Sequence, residues 1–253
     1  MNTIIVTETA KNLRALGRAA MAPYRNLSMK GALVYGVALM VPPALISILF
    51  QGTMGQNVAG LYTLLVSGPF TLGISLFFLA IFRRRGPELS QVFYGFEYYV
   101  KSLGLFLYMT LLIVLWTLLF IVPGIIAMFR YSQAFYILAD HPEFGIIQCV
   151  KESKRLMDGN KGKYFYVTLS FIGWWFLCTV PMGIVEKMLI ENPYSMGLQL
   201  LALVAYLPYA WLLPYVSLTQ VAFYEIITGN LKANATIPEI PSSDPNSEEA
   251  LRR

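Results

Sequence analysis

The chain has 253 residues, of which 57% are hydrophobic and only 13% charged, and its formal net charge is +5. Soluble domains carry about 25% charged residues, so this chain is short of the side chains that cover a water-facing surface. In such a chain positive charge points to loops that face anionic lipid headgroups, and nucleic acid is not an expected partner.

The apolar residues are blocked into uncharged stretches such as 31–50 and 103–128. About 20 such residues span a bilayer core as a helix, which predicts an all-α polytopic membrane protein. Residues 1–30 are polar and basic, and no cleavable targeting segment is expected in them. Within them, 8–21 place Ala10, Leu13, Leu16 and Ala20 opposite Lys11, Arg14 and Arg18, an amphipathic helix. Apolar runs follow at 31–50 and 60–82, then a basic stretch with Arg83, Arg84, Arg85 and Lys101. A second amphipathic helix is predicted at 89–100, with Leu89, Val92, Phe93, Phe96 and Val100 on one face.

The long run 102–139 is followed by another basic segment carrying Lys151, Lys154, Arg155, Lys161 and Lys163. Short loops rich in Lys and Arg stay on the cytoplasmic side, so the run must turn back within the membrane. Val122-Pro123-Gly124 supplies the turn, because proline ends the preceding hydrogen bonding and glycine accepts tight reversals. Six spans result, at 31–50, 60–82, 102–122, 124–139, 164–189 and 197–228, in three hairpins. On that map all but Arg130 and Lys187 of the 19 Lys and Arg residues are cytoplasmic. The fourth span rises only ~24 Å against a hydrocarbon thickness of ~30 Å. It is either a re-entrant segment or a short helix sheltered by its neighbours. A third amphipathic helix is predicted at 144–157, with Phe144, Ile147, Val150 and Met157 facing away from Lys151 and Lys154. The three amphipathic helices lie in the membrane interface or pack onto the spans from below.

The domain map is thus an N-terminal cytoplasmic helix (1–30), a six-span membrane domain (31–228) and a disordered cytoplasmic tail (229–253). Each hairpin follows a short amphipathic helix, and Gly86-Pro87-Glu88-Leu89 returns in pattern as His141-Pro142-Glu143-Phe144. We read three units of helix plus hairpin, an internal repeat.

Phe93-Tyr94-Gly95-Phe96, Leu115-Trp116 and Ile121-Val122-Pro123-Gly124-Ile125-Ile126 resemble an uncharacterised bacterial membrane family, the domain of unknown function numbered 975. Tyr136-Ile137-Leu138-Ala139-Asp140, Met157-Asp158-Gly159-Asn160-Lys161 and Leu169-Ser170-Phe171-Ile172-Gly173-Trp174 are similar to it too, as are Leu213-Pro214-Tyr215 and Ala222-Phe223-Tyr224-Glu225. The resemblance runs in order over about residues 8–228. The segment 182–208 departs from it by carrying Glu186, Lys187 and Glu191. It implies a bacterial cytoplasmic membrane location and brings no catalytic residues.

Chemistry-bearing residues are few. Cys149 and Cys178 stand apart and read as packing residues, and His141 is the single histidine, placed as a helix-ending residue before Pro142. No zinc site, other metal site or cofactor is expected, and no nucleophile–base–acid set supports an enzyme. Arg130 stands out, since a mid-span arginine costs ~2.5–3.5 kcal/mol on insertion scales and needs a partner or a wet cavity. Glu225 and the backbone opened at Pro123 are the candidate partners. Arg130, Gln133, Thr219, Gln220 and Glu225 therefore form a candidate polar intramembrane site, either an anion- or headgroup-binding cavity or polar glue between hairpins.

Two functions remain from the residues alone. A membrane scaffold or accessory protein explains the basic helices and the scarcity of chemistry. A carrier or permease for a lipid-like or small amphiphilic solute would use Arg130, the repeat and the spans broken by Pro42, Pro43, Pro69, Pro181, Pro208 and Pro214. The partners expected are membrane lipids with anionic headgroups at the cytoplasmic face, together with a membrane-protein partner or a second copy of the chain.

Overall fold

A computed structural model of the chain describes residues 4–50, 52–192 and 195–231. The tail lies outside them apart from its first three residues. Every regular element among the described residues is helical. Six stretches are long and apolar enough to cross a membrane: Ala10–Leu49, Thr53–Arg83, Tyr99–Leu119, Ile121–Asp140, Ile172–Glu191 and Met196–Ile227. The chain is a polytopic helical membrane protein.

Helix α1 (Ala10–Met21) starts at Thr9, whose hydroxyl accepts from the Asn12 N–H at 3.2 Å. Of its predicted stripe Leu13 and Ala20 are buried and Ala10 and Leu16 half-buried, and Gly17 is buried as well. Gly17 meets the backbone of Thr219, so nothing larger fits at that crossing. The basic side of α1 is also engaged. Arg14 donates to the Ser170 carbonyl at 3.3 Å and lies over the Phe171 ring, and Arg18 lies over the Tyr215 ring. The helix is docked onto the bundle.

Helices α2 (Arg25–Leu49) and α3 (Thr53–Arg83) form the first hairpin. Pro69 interrupts α3, and the hydroxyls of Thr63, Ser67, Thr71 and Ser75 each bond the carbonyl four residues back. Hydroxyls in a span are thereby satisfied without water. The predicted amphipathic helix at 89–100 is shorter and tighter than expected. It is a 3-10 helix, Leu89–Phe96, whose buried residues are Val92 and Gly95, and Val100 is exposed at the start of the next helix. Contact explains the difference. A Cβ on Gly95 would strike the Pro69 carbonyl, and one on Gly73 would strike the Val92 carbonyl, so two backbones touch directly and only a three-residue period keeps the small residues on that line.

Helices α4 (Tyr99–Leu119) and α5 (Ile121–Tyr131) form the second hairpin. The reversal sits at Phe120 and not at Val122-Pro123-Gly124. Phe120 is a single extended residue, and Pro123 falls in the first turn of α5, where no intrahelical N–H bond is lost. The fourth apolar stretch is broken at Ser132-Gln133, after which α6 (Ala134–Asp140) is buried at Ala134, Phe135, Tyr136, Ile137 and Leu138. Helix α7 (Ile146–Leu156) buries Cys149, Val150, Ser153 and Leu156, whereas Ile147, predicted on the apolar face, is exposed. The predicted span 164–189 is likewise two helices, α8 (Lys161–Leu169) and α9 (Ile172–Glu191), parted at Ser170-Phe171. Helix α10 (Met196–Ile227) returns along α9 and carries Pro208 and Pro214.

One apolar core joins the C-terminal halves of α3 and α10 to α1, α6 and α7. Leu13, Leu72, Phe77, Phe78, Ile81, Ile137, Met157, Phe223 and Tyr224 are almost fully buried in it. Asn160 ties the N-terminal segment to this end, accepting from the Val6 N–H at 2.9 Å and donating to the Ile4 carbonyl at 2.8 Å. We call it the basic end, after the arginines and lysines around it.

Candidate functional site

Two ion pairs between residues far apart in sequence converge on Arg83, the last residue of α3. Its guanidinium grips Asp140 with both terminal nitrogens, at 2.5 Å and 2.7 Å. The same group reaches Glu225 Oε1 through Nε at 2.8 Å and through the second terminal nitrogen at 2.6 Å. Tyr224 adds its hydroxyl, donating to Asp140 at 3.0 Å. Glu225 is nearly buried, and Arg83 and Asp140 are largely so.

Each charge sits where its helix makes it meaningful. Arg83 is at a helix C-terminus, which suits a cation. Asp140 ends α6 and Glu225 lies in the last turn of α10, where the helix dipole disfavours a carboxylate. Both therefore need the arginine, whose planar fork matches one carboxylate bidentately while its Nε side serves the other. The cluster joins α3, α6 and α10 into a clamp. It borders an open cavity of ≈ 630 Å³ that Arg85 and His141 also line. The chemistry available there is charge pairing. No cluster of three His, Cys, Asp or Glu side chains able to hold a metal occurs among the described residues.

The five residues expected to share a polar site are divided. Glu225 belongs to the clamp and pairs with Arg83, not with Arg130. Gln133 is fully buried at the break between α5 and α6, where its N–H donates to the Ser153 hydroxyl at 3.2 Å and its amide donates to Ser132 at 2.8 Å. The Ser153 hydroxyl in turn donates to the Arg130 carbonyl at 2.9 Å, so α7 covers the broken helix. Thr219 is buried beside Gly17, its hydroxyl bonded to the Tyr215 carbonyl. Gln220 is half-buried, one position along the same helix. The Arg130 side chain is half-buried and makes no hydrogen bond or ion pair with the described residues.

Outside the spans, His141 caps α6 and bonds Glu143 at 3.0 Å in full view of solvent. Cys149 and Cys178 are buried and unpaired as disulfides. Burial pushes the Cys149 thiol up to about 11.

Arg83 and Asp140 were not among the sequence candidates. Arg83 reads as one of three basic loop residues, and Asp140 as a helix stop. A signal existed nonetheless. Acids at the C-terminal ends of two apolar runs oppose their helix dipoles, and that opposition calls for a cation.

Residues 118–231 match the model of a family described as Protein of unknown function (DUF975). The match takes in α5 to α10, with Asp140 and Glu225, and leaves out Arg83. No curated protein and no solved structure matches the chain.

Proposed function

We propose that this chain, which carries a DUF975 match over its C-terminal part, is a non-enzymatic scaffold or accessory protein of the bacterial cytoplasmic membrane. Both termini lie in the cytoplasm, where the basic end meets anionic headgroups. The supporting observation is the Arg83 clamp. A carrier works by moving one hairpin against another, yet α3, α6 and α10 are tied by one guanidinium shared between two carboxylates. Separating any of them strands a charge.

One observation favours the second reading, a carrier for a lipid-like solute. An apolar cleft of ≈ 490 Å³ opens beside Pro43 between α2, α9 and α10. Native mass spectrometry of the protein extracted gently from its own membrane separates the two. A protein companion at fixed stoichiometry is the expected result. A retained amphiphile without a companion, lost when Leu203 in the cleft becomes tryptophan, overturns the scaffold reading in favour of the carrier.

A further inference from the structure

The three hairpins end in chemically different tips. Between α2 and α3 the exposed residues include Thr53, Gln56 and Asn57, and between α9 and α10 they include Glu186, Lys187, Glu191 and Asn192. Those tips carry polar or charged side chains beside exposed apolar ones such as Leu49, Met54 and Ile190. The tip between α4 and α5 is Leu118-Leu119-Phe120-Ile121-Val122, with relative exposures of 77%, 62%, 74%, 72% and 65% and no polar side chain among them. The nearest hydroxyl, on Thr117, is turned back onto the Ile113 carbonyl of its own helix.

The backbone at Phe120 is bonded within the hairpin. The Phe120 N–H donates to the Trp116 carbonyl at 3.1 Å, and the Phe120 carbonyl accepts from the Gly124 N–H at 3.3 Å. One extended residue thus reverses the chain while both its polar groups stay bonded within the hairpin. Bonds within the hairpin are what irregular backbone in a bilayer requires.

Of the two arms, α4 with its 21 residues is long enough to cross and α5 is not, so α5 limits the depth. Helix α5 has 11 residues, a rise of ~16 Å against ~30 Å of hydrocarbon. Its exposed apolar face, Ile125, Ile126 and Met128, stops just before Arg130. Beyond the break at Ser132-Gln133 the arm is enclosed by protein. Arg130 lies ~14 Å along the helix axis from the tip. With the tip at the far surface, this guanidinium, which the described residues leave unpaired, sits at the bilayer midplane. With the tip at the midplane it sits among the headgroups of the near leaflet.

We propose that the α4–α5 hairpin is a re-entrant wedge, its tip Leu118–Val122 near the bilayer midplane and Arg130 on the phosphates of anionic lipids in the cytoplasmic leaflet. Only the α2–α3 and α9–α10 hairpins then cross the membrane. A hairpin that turns back leaves the termini on the same side, so the basic loops stay cytoplasmic. A wedge in one leaflet also adds area to that leaflet alone and draws the protein to loosely packed or curved membrane. The inference is independent of whether the protein is scaffold or carrier.

The test places a nitroxide at Phe120→Cys, with Cys149→Ala and Cys178→Ala, in vesicles of phosphatidylethanolamine and phosphatidylglycerol. Gln56→Cys serves as the water-facing reference. Collisions with oxygen and with a water-soluble nickel chelate report depth. High oxygen access with loss of nickel access is expected at Phe120. Nickel access equal to that at Gln56 overturns the wedge, and loss of both overturns it in favour of a protein-covered tip. Should Phe120→Cys fail to fold, Leu119→Cys reads the same depth. For the headgroup half, native mass spectrometry should show fewer retained phosphatidylglycerol molecules in Arg130→Gln than in wild type, with Arg130→Lys restoring them. Equal retention in all three overturns it.

Discussion

Helix α3 changes character along its length, and the α4–α5 hairpin does not. In the first half of α3, Met54, Val58, Leu61, Leu64 and Leu65 are exposed, whereas in the second half Leu72, Phe77, Phe78 and Ile81 are buried. The hairpin exposes Leu107, Leu111, Val114, Leu115, Ile125, Ile126 and Met128 along its arms, with Leu112 and Ile113 half-buried against the core. Composition does not separate these regions, since all are Leu, Ile, Val, Met and Phe. What separates them is the covering surface, which is packed protein at the basic end and lipid around the hairpin. Side chains interlocked with protein are sensitive to every methyl group, whereas those bathed in lipid are not.

The largest expected effect falls on the clamp. Arg83→Leu leaves Asp140 and Glu225 buried without a cation and should cost about 3–5 kcal/mol, seen as loss of folded yield and a lower melting temperature in detergent. Replacing Arg83, Asp140 and Glu225 together by leucine should recover much of that loss. A triple variant as weak as the single one shows that the clamp holds the fold by more than charge balance.

A matched pair of truncations addresses the comparison itself. Phe77→Ala, in the packed half of α3, should cost about 3–5 kcal/mol. Phe120→Ala, at the lipid-facing tip, should stay within about 0.5 kcal/mol. Equal losses at the two sites would mean that the tip is covered by protein, most directly by a second copy of the chain.

Asn160→Ala removes the bonds to Ile4 and Val6 and should cost about 1–3 kcal/mol. Faster proteolysis of the first residues, with the spans intact, is the readout. The smallest effect concerns Cys149. Its thiol, ordinarily near 9, is held up to about 11 by burial, so the unfolded chain ionises first as pH rises. The stability it contributes is complete below pH 9 and is lost between pH 9 and about 11. Thermal melts of Cys149→Ala should lack that part of the alkaline decline shown by the wild type.

The candidate site was half legible. Glu225 could be singled out because an acid near an apolar run is conspicuous, and its partner could not, because Arg83 looks like its neighbours Arg84 and Arg85. Arg83 alone continues α3 as its last helical residue, while Arg84 turns out of the helix with a φ of 54°. Gln133 and Thr219 were recognisable as polar residues within apolar runs. That they are fastened to Ser132, Ser153 and Tyr215 depends on helix breaks and crossings that no local pattern records.

By itself the sequence determined the membrane class, the hairpins, and the burial of the α1 stripe at Leu13 and Ala20. These follow from periodicity and from the expense of placing charge in hydrocarbon, which act on every residue locally. Only the tertiary structure decided that the 89–96 segment is a 3-10 helix, that the second hairpin turns at Phe120, and that Arg83 rather than Arg130 answers Glu225. Each of these depends on which backbones approach closely enough to touch. Gly95 against Pro69 and Gly17 against Thr219 are contacts between distant parts of the chain, and a linear pattern carries no distances between such parts.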